Sequence, residues 1–199
     1  MQKFVWSDPP SQSAFPLARA GYPFIFASAG TTAVLALLHL VPWAVIGLAV
    51  TFFICYFFRD PDRLVPLGEG LVVSPADGKV VSIATVDGTP YYPGQCQKIG
   101  IFMSVFNVHV NRIPHEGRIV RIDYHPGKFF SANLDKASKD NERNAVYLET
   151  QQGRPICFVQ IAGLIARRII CHIQQADQVR RGQRFGLICF GSRLDVYLP

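Results

Sequence analysis

Residues 185–198 read FGLICFGSRLDVYL. An apolar run, Phe185 to Phe190, goes straight into Gly191-Ser192, and Leu194, Val196 and Leu198 then alternate with polar residues. Period-two alternation flanked by an apolar run predicts two β-strands joined at the Gly–Ser pair. Working back from here, the same grain recurs. Leu71-Val72-Val73, Lys79 to Ile83, Lys98 to Arg112, Arg118 to Asp123, Ala145 to Glu149, Ile156 to Ile161 and Arg168 to Ile173 are β-branched or alternating runs. Asp77-Gly78 and Asp87-Gly88 are turn signals between such runs. Phe130 to Asn144 is polar and irregular, a loop or a short helix. Many short strands with few helices predict a mainly β body, closed or sandwiched.

The N-terminal part is of another kind. Between Arg19 and Arg59 lie 39 residues without Asp, Glu, Lys or Arg. A bilayer core of ~30 Å takes about 20 helical residues, so the run Tyr22 to Phe58 suits two short helices better than one. Pro42 interrupts it, disfavouring helix at Val41, and His39 and Trp43 suit a polar interface. The expected fold class is therefore α+β and mainly β. An apolar helical hairpin (about 22–39 and 43–58) lies within an N-terminal segment 1–58, and a compact β-sandwich or barrel-like catalytic domain occupies 59–199. Lys3 and Arg19 flank one end of the hairpin, Arg59 and Arg63 the other, so both ends are expected on the cytoplasmic side of the cell membrane. A signal peptide cleaved after Ala27-Ser28-Ala29 fits poorly, because about thirty apolar residues follow that triplet. A soluble core hairpin would rarely lack a charged face for so long. Whether the hairpin spans the bilayer or dips into one leaflet stays open.

Composition narrows the function. The net charge is +6, and residues 59–199 alone carry 18 basic and 13 acidic side chains. A basic surface beside a membrane segment points to anionic lipid before nucleic acid. No Lys/Arg run exceeds two residues, so no nucleic-acid partner is expected. The five cysteines are scattered without a C-x-x-C pair, which reads as free thiols in a reducing compartment. No His, Asp or Glu spacing matches a metal site, and no metal is expected.

Three places could carry chemistry. Ser192 could attack the unhindered Gly191 carbonyl, against the competing reading of a plain turn. Asp77 is first of all a turn residue, and becomes interesting as a buried carboxylate that accepts a proton. In Asn107-Val108-His109-Val110-Asn111-Arg112, strand alternation places Asn107, His109 and Asn111 on one face. That face is either a wet pocket or a solvent-facing edge, and His109 can trade protons near neutrality.

Taken in order, several motifs accompany the apolar hairpin. They are Phe58-Arg59-Asp60-Pro61-Asp62-Arg63, Ser74-Pro75-Ala76-Asp77-Gly78, Asn107 to Pro114, Ala162-Gly163-Leu164-Ile165-Ala166-Arg167-Arg168-Ile169 and Phe190-Gly191-Ser192. Together they resemble the short bacterial and archaeal form of phosphatidylserine decarboxylase. The resemblance implies a proenzyme that cuts itself. The serine attacks the glycine carbonyl, β-elimination breaks the chain, and the remainder hydrolyses to a pyruvoyl group and ammonia. Mapped here, Gly191 ends a β chain and Ser192 becomes the covalent pyruvoyl cofactor of an α chain. Its ketone would condense with the serine headgroup amine and act as electron sink, giving phosphatidylethanolamine and carbon dioxide. By the same resemblance Asp77 assists self-cleavage and His109 handles protons in decarboxylation. The implied partners are an anionic phospholipid substrate, the membrane, and the β and α chains of one precursor, with a homo-oligomer left open.

Two positions depart from the longer bacterial relatives. Their His-x-x-His has Arg112 at its second place here, so His109 serves both steps or another group helps. Their Gly-Ser-Thr is Gly191-Ser192-Arg193. Similar proteins also extend past the position of Pro199, so a longer C-terminus is expected. Two rival readings remain at this level. One is a pyruvoyl decarboxylase of another amine (archaetidylserine or a soluble amino acid). The other is a non-enzymatic membrane-tethered β domain, which predicts an intact chain.

Overall fold

The computed structural model describes residues 4–9, 11, 15–128, 140–163, 168–189 and 192–199. Its contacts divide the chain into a hairpin unit, Ser11–Pro61, and a β body that runs from Asp62 to Pro199 and takes in strand β1 (Phe4–Trp6).

The hairpin is two helices, α1 (Tyr22–Leu37) and α2 (Val41–Phe57). Pro42 does not delay α2: the helix begins at Val41 and Pro42 sits in its first turn. A first-turn N–H has no intrahelical acceptor, so proline costs nothing there. The link is tight, with His39 in the left-handed region (φ 55°). Apolar side chains face outward all round, including Phe26, Leu37, Trp43 and Phe52. The helices touch through small residues. A Cβ on Gly47 would lie 2.6 Å from the Thr32 hydroxyl, and Thr32 meets Thr51 at 3.4 Å. Close approach over Gly and Thr is the packing mode of helices surrounded by lipid.

The body is mainly β. Strands β3 (Lys79–Val86), β4 (Cys96–Met103), β6 (Gly117–His125), β7 (Arg143–Glu149), β8 (Pro155–Ile161), β10 (Gln178–Val179) and β12 (Ser192–Leu198) form one antiparallel sheet, in the order β10-β6-β7-β8-β12-β4-β3. A smaller sheet, β5-β11-β9, is built from Val110–Arg112, Arg184–Ile188 and Ile169–Cys171. β1 pairs with β2 (Leu64–Pro66). The two larger sheets share one core, in which Met103, Val146, Phe158 and Leu194 meet Phe185 and Ile188. Phe158 and Phe185 pack edge to face at 5.0 Å. The result is a sandwich with open edges at β10 and β3, not a closed barrel.

Strand β12 lies in the middle of the large sheet, between β8 and β4. Alternation turns Leu194 and Val196 into the shared core, with Ser192 on the same face. Arg193, Asp195 and Tyr197 take the other face, and Tyr197 joins a second cluster with Tyr92, Cys157 and Val159. Arg193 is buried against Asp195 (2.5 Å), and Asp195 also meets Lys98 at 3.0 Å. Arg193 donates to the Ser82 hydroxyl at 3.0 Å. A register shift between Val80 and Ser82 marks a bulge in β3, and Ser82 stands opposite Gly100 beyond it. Gly100 leaves the room: a Cβ there would come within 2.5 Å of both Arg193 Nη2 and Ser82 Oγ.

Two expected strands differ. Leu71–Val73 is not a strand; the Val73 N–H donates to the Pro114 carbonyl and Arg181 takes the Leu71 carbonyl. Lys98–Arg112 is two strands, because the Asn107 side chain accepts from both the N–H and the hydroxyl of Ser104 (2.9 and 2.8 Å) and closes a turn. Side-chain to backbone bonds of this kind compete with a sheet ladder. Most of the stretch Phe130 to Asn144 lies outside the described residues.

Candidate active site

Ser192 opens β12 opposite Met103 of β4. Its side chain is fully buried, and Oγ lies 4.0 Å from the Met103 Sδ. Gly191 and Phe190 lie outside the described residues.

The turn at Ser104–Asn107 breaks the expected polar row. Asn107 belongs to the turn, whereas His109 and Asn111 go into the interior and are fully buried. They line neither a wet pocket nor an exposed edge. His109 Nδ1 is 2.9 Å from the Asn107 carbonyl oxygen. A carbonyl only accepts, so Nδ1 carries hydrogen and Nε2 is the ring atom that can take up a proton. The His109 carbonyl accepts from the Ile188 N–H at 3.4 Å, tying the histidine to the strand that leads toward Ser192.

Asn111 faces the large sheet. Its Nδ2 donates to the Met103 Sδ (3.6 Å), and its Oδ1 accepts from Gln160 Nε2 (2.9 Å). Gln160 Oε1 accepts from Asn144 Nδ2 at 3.1 Å. Sequence reasoning missed Gln160 and Asn144. The available signal was a glutamine inside the otherwise apolar run Ile156–Ile161, where an amide needs a buried partner.

Arg112 points elsewhere. It bonds the Ser7 hydroxyl (2.9 Å) and the Gly182 carbonyl (3.0 Å) and pairs with Asp8 (3.5 Å). Asp8 also pairs with Arg184, which reaches Asp62 at 2.8 Å. Arg112 is thus a clamp on the N-terminal segment, and its guanidinium stays protonated and does not exchange protons as a histidine would.

Asp77 is a half-exposed carboxylate, not a buried one. Its side chain is 41% exposed and pairs with Arg63 at 2.5 Å. Neighbouring Gly78 packs directly on the Phe102 carbonyl, where a Cβ would collide. Lys79 and Arg193 both stand opposite Phe102, on its two sides. Two strand spacings, roughly 10 Å, therefore separate the Asp77 loop from the head of β12. The structure brings Asp77 to the edge of the site and does not place it on Ser192.

Cys189 is the thiol nearest Ser192 in sequence. Burial pushes its pKa up, partly offset by the positive charge of Arg168. It stays protonated near neutrality and does not compete with Ser192 as a nucleophile.

A buried hydroxyl heads a central strand and flanks the thioether on which a directed amide row ends, and a buried imidazole lies on the chain between strands β4 and β5 of the same two sheets. Residues 50–199 match the phosphatidylserine decarboxylase family. The chain is 54% identical to the phosphatidylserine decarboxylase proenzyme of Syntrophus aciditrophicus, over 92% of this chain and 86% of that one. It is 49% identical to the proenzyme of the same name from Paramagnetospirillum magneticum, over 100% of this chain and 80% of the relative. For the one from Ruegeria pomeroyi the values are 52%, 92% and 85%. The chain belongs to the phosphatidylserine decarboxylase family, and it is an enzyme of the decarboxylase class.

Proposed function

We propose that the chain is a proenzyme that cuts itself between Gly191 and Ser192 and then decarboxylates phosphatidylserine to phosphatidylethanolamine. The observation that carries this reading is Ser192: a fully buried serine at the first position of a central strand. A serine needed only for a turn has no reason to be held there. In the first step Ser192 Oγ bonds to the Gly191 carbonyl carbon. The hydroxyl proton ends on the Ser192 amide nitrogen as the C–N bond breaks, leaving an ester. Loss of the residue-192 Cα proton then expels Gly191 as a carboxylate, and water releases ammonia from what remains.

The surroundings fit the resulting pyruvoyl group. Residue 192 is fixed by its pairing with β4 and flanks the Met103 thioether, which also accepts from the Asn111 amide; these groups suit a small neutral carbonyl. When engaged by an amine the group supplies an electron sink for loss of carbon dioxide. His109 moves protons in that step through Nε2, with its ring held by the Asn107 carbonyl. Asp77 assists self-cleavage. Arg63 engages its Oδ2, and to take the serine proton directly the Asp77 loop must close the gap to the head of β12.

The hairpin supports a lipid substrate, since a soluble amino acid gives no reason for an apolar anchor. Among the described residues one helix, Arg19–Leu37, is long and apolar enough to cross a bilayer, and α2 has 17 residues. In this reading the hairpin anchors the enzyme in the cell membrane. Both ends and the β body lie on the cytoplasmic side, where anionic phospholipid is the substrate and the basic body is attracted to it. Ser192→Ala tests the scheme. It should leave one uncut chain without decarboxylase activity; a fully active Ser192→Ala protein would overturn it.

A further inference from the structure

Three amides cross the core in one direction. Asn144 on β7 donates to Gln160 on β8, Gln160 donates to Asn111 on β5, and Asn111 donates to the Met103 sulfur. Gln160 and Asn111 are fully buried and Asn144 nearly so. The order fixes each amide's orientation. With its oxygen taken by Gln160, Asn111 must turn its N–H bonds toward Met103. Burying an amide is costly unless it is well bonded, yet the last donor in this row meets a thioether, the weakest acceptor available to it. Ser192 Oγ flanks the same sulfur atom. A row whose last donor is poorly satisfied, on the same sulfur that a reactive hydroxyl flanks, is suited to an acceptor that appears only during reaction.

We propose that Asn111 donates the hydrogen bond that stabilises the oxyanion formed when Ser192 attacks the peptide bond before it, with Gln160 and Asn144 as positioning residues. This rests on the self-cleavage reading. As the bond from Oγ to carbon forms, the carbonyl electron pair moves onto oxygen. It returns when the C–N bond breaks and the serine proton passes to nitrogen, so no co-reactant is consumed. Removing one such donor typically slows a reaction ~10²–10³-fold.

The test follows self-cleavage of the full chain, synthesised into detergent or bilayer discs, on denaturing gels across a pH series. Asn111→Leu should cleave ~10²–10³-fold more slowly than wild type at every pH. Asn111→Asp should be equally slow in alkali and should recover relative to wild type as pH falls. Its protonated carboxyl regains an O–H donor while still accepting from Gln160, and a purely structural role would not produce that recovery. If Asn111→Leu does not fold, the isosteric Asn111→Asp carries the test. A folded Asn111→Leu that cleaves at the wild-type rate, or Asn111→Asp without acid recovery, overturns the assignment alone. A wild-type chain that stays whole overturns the self-cleavage reading and the assignment with it.

Discussion

Arg193 and Asp195 make a buried ion pair on the strand that begins with the reactive serine, and the cost of breaking it can be worked out. Both side chains are almost wholly buried, 2.5 Å apart, and Lys98 approaches the same carboxylate at 3.0 Å. Asp195→Leu removes the carboxylate that faces the buried Arg193 guanidinium and leaves that charge in the sheet. Removing one partner of a buried pair costs about 3–5 kcal/mol, because the other charge stays desolvated. For a chain of this size each kcal/mol moves Tm by about 2–4 °C, so Asp195→Leu should melt on the order of 10 °C lower. Arg193→Met should fall by a similar amount, since it leaves Asp195 with Lys98 alone. The double variant, in contrast, should lose much less than the sum, because replacing both charges by apolar groups is often nearly neutral. The assay is thermal unfolding of the detergent-solubilised full chain in a Ser192→Ala background, which keeps every sample uncut. Additive losses, or an Asp195→Leu chain within 1 °C of its parent, would refute the claim that the pair acts as one buried unit.

Other outcomes follow from the same geometry. Asp77→Asn should stall chain cleavage, whereas His109→Ala should cleave and then lose decarboxylation by ~10²–10⁴-fold; normal rates in either variant return that residue to a structural role. Burial would raise the Glu116 carboxyl, but its own backbone N–H and the Arg181 guanidinium, in a two-pronged pair, hold its pKa below the usual range. Glu116 therefore adds stability above its unfolded pKa of about 4.3, and that stability fades as pH falls through this value toward the lower folded one. The Tm advantage of wild type over Glu116→Gln should shrink on acidification, and a gap that does not change with pH would contradict it. Cysteine labelling from outside intact cells should miss the β body, and selective modification of the Arg63–Pro199 part would overturn the proposed topology.

The sequence made some features plain and hid others, for physical reasons. The hairpin was readable because an uncharged run of that length has few other uses, although the start of α2 was misplaced by applying a proline rule without its first-turn exception. Strands β3, β6, β7 and β12 announced themselves through β-branched or alternating runs, and β8 and β11 through short apolar runs. Strands β1, β2 and β10 are two or three residues long, too short to show a period. The Ser104–Asn107 turn was hidden because its cause is one side-chain to backbone bond inside a β-rich run. Ser192 and His109 were legible as reactive types in suggestive settings. The exposure of Asp77 was not legible, because it depends on Arg63, fourteen positions away, which holds it at the surface. The amide row was illegible because it joins three strands from two sheets, and nothing in the spacing of 111, 144 and 160 reports that meeting.

The central claim is that residue 192 is made into a carbonyl by the chain itself. Mass spectrometry of purified wild-type protein tests it most directly. The account predicts two chains, one ending at Gly191 and one beginning with a blocked residue 192 whose mass shifts on borohydride reduction. A single intact chain, with an ordinary Ser192 and full decarboxylase activity, would contradict it.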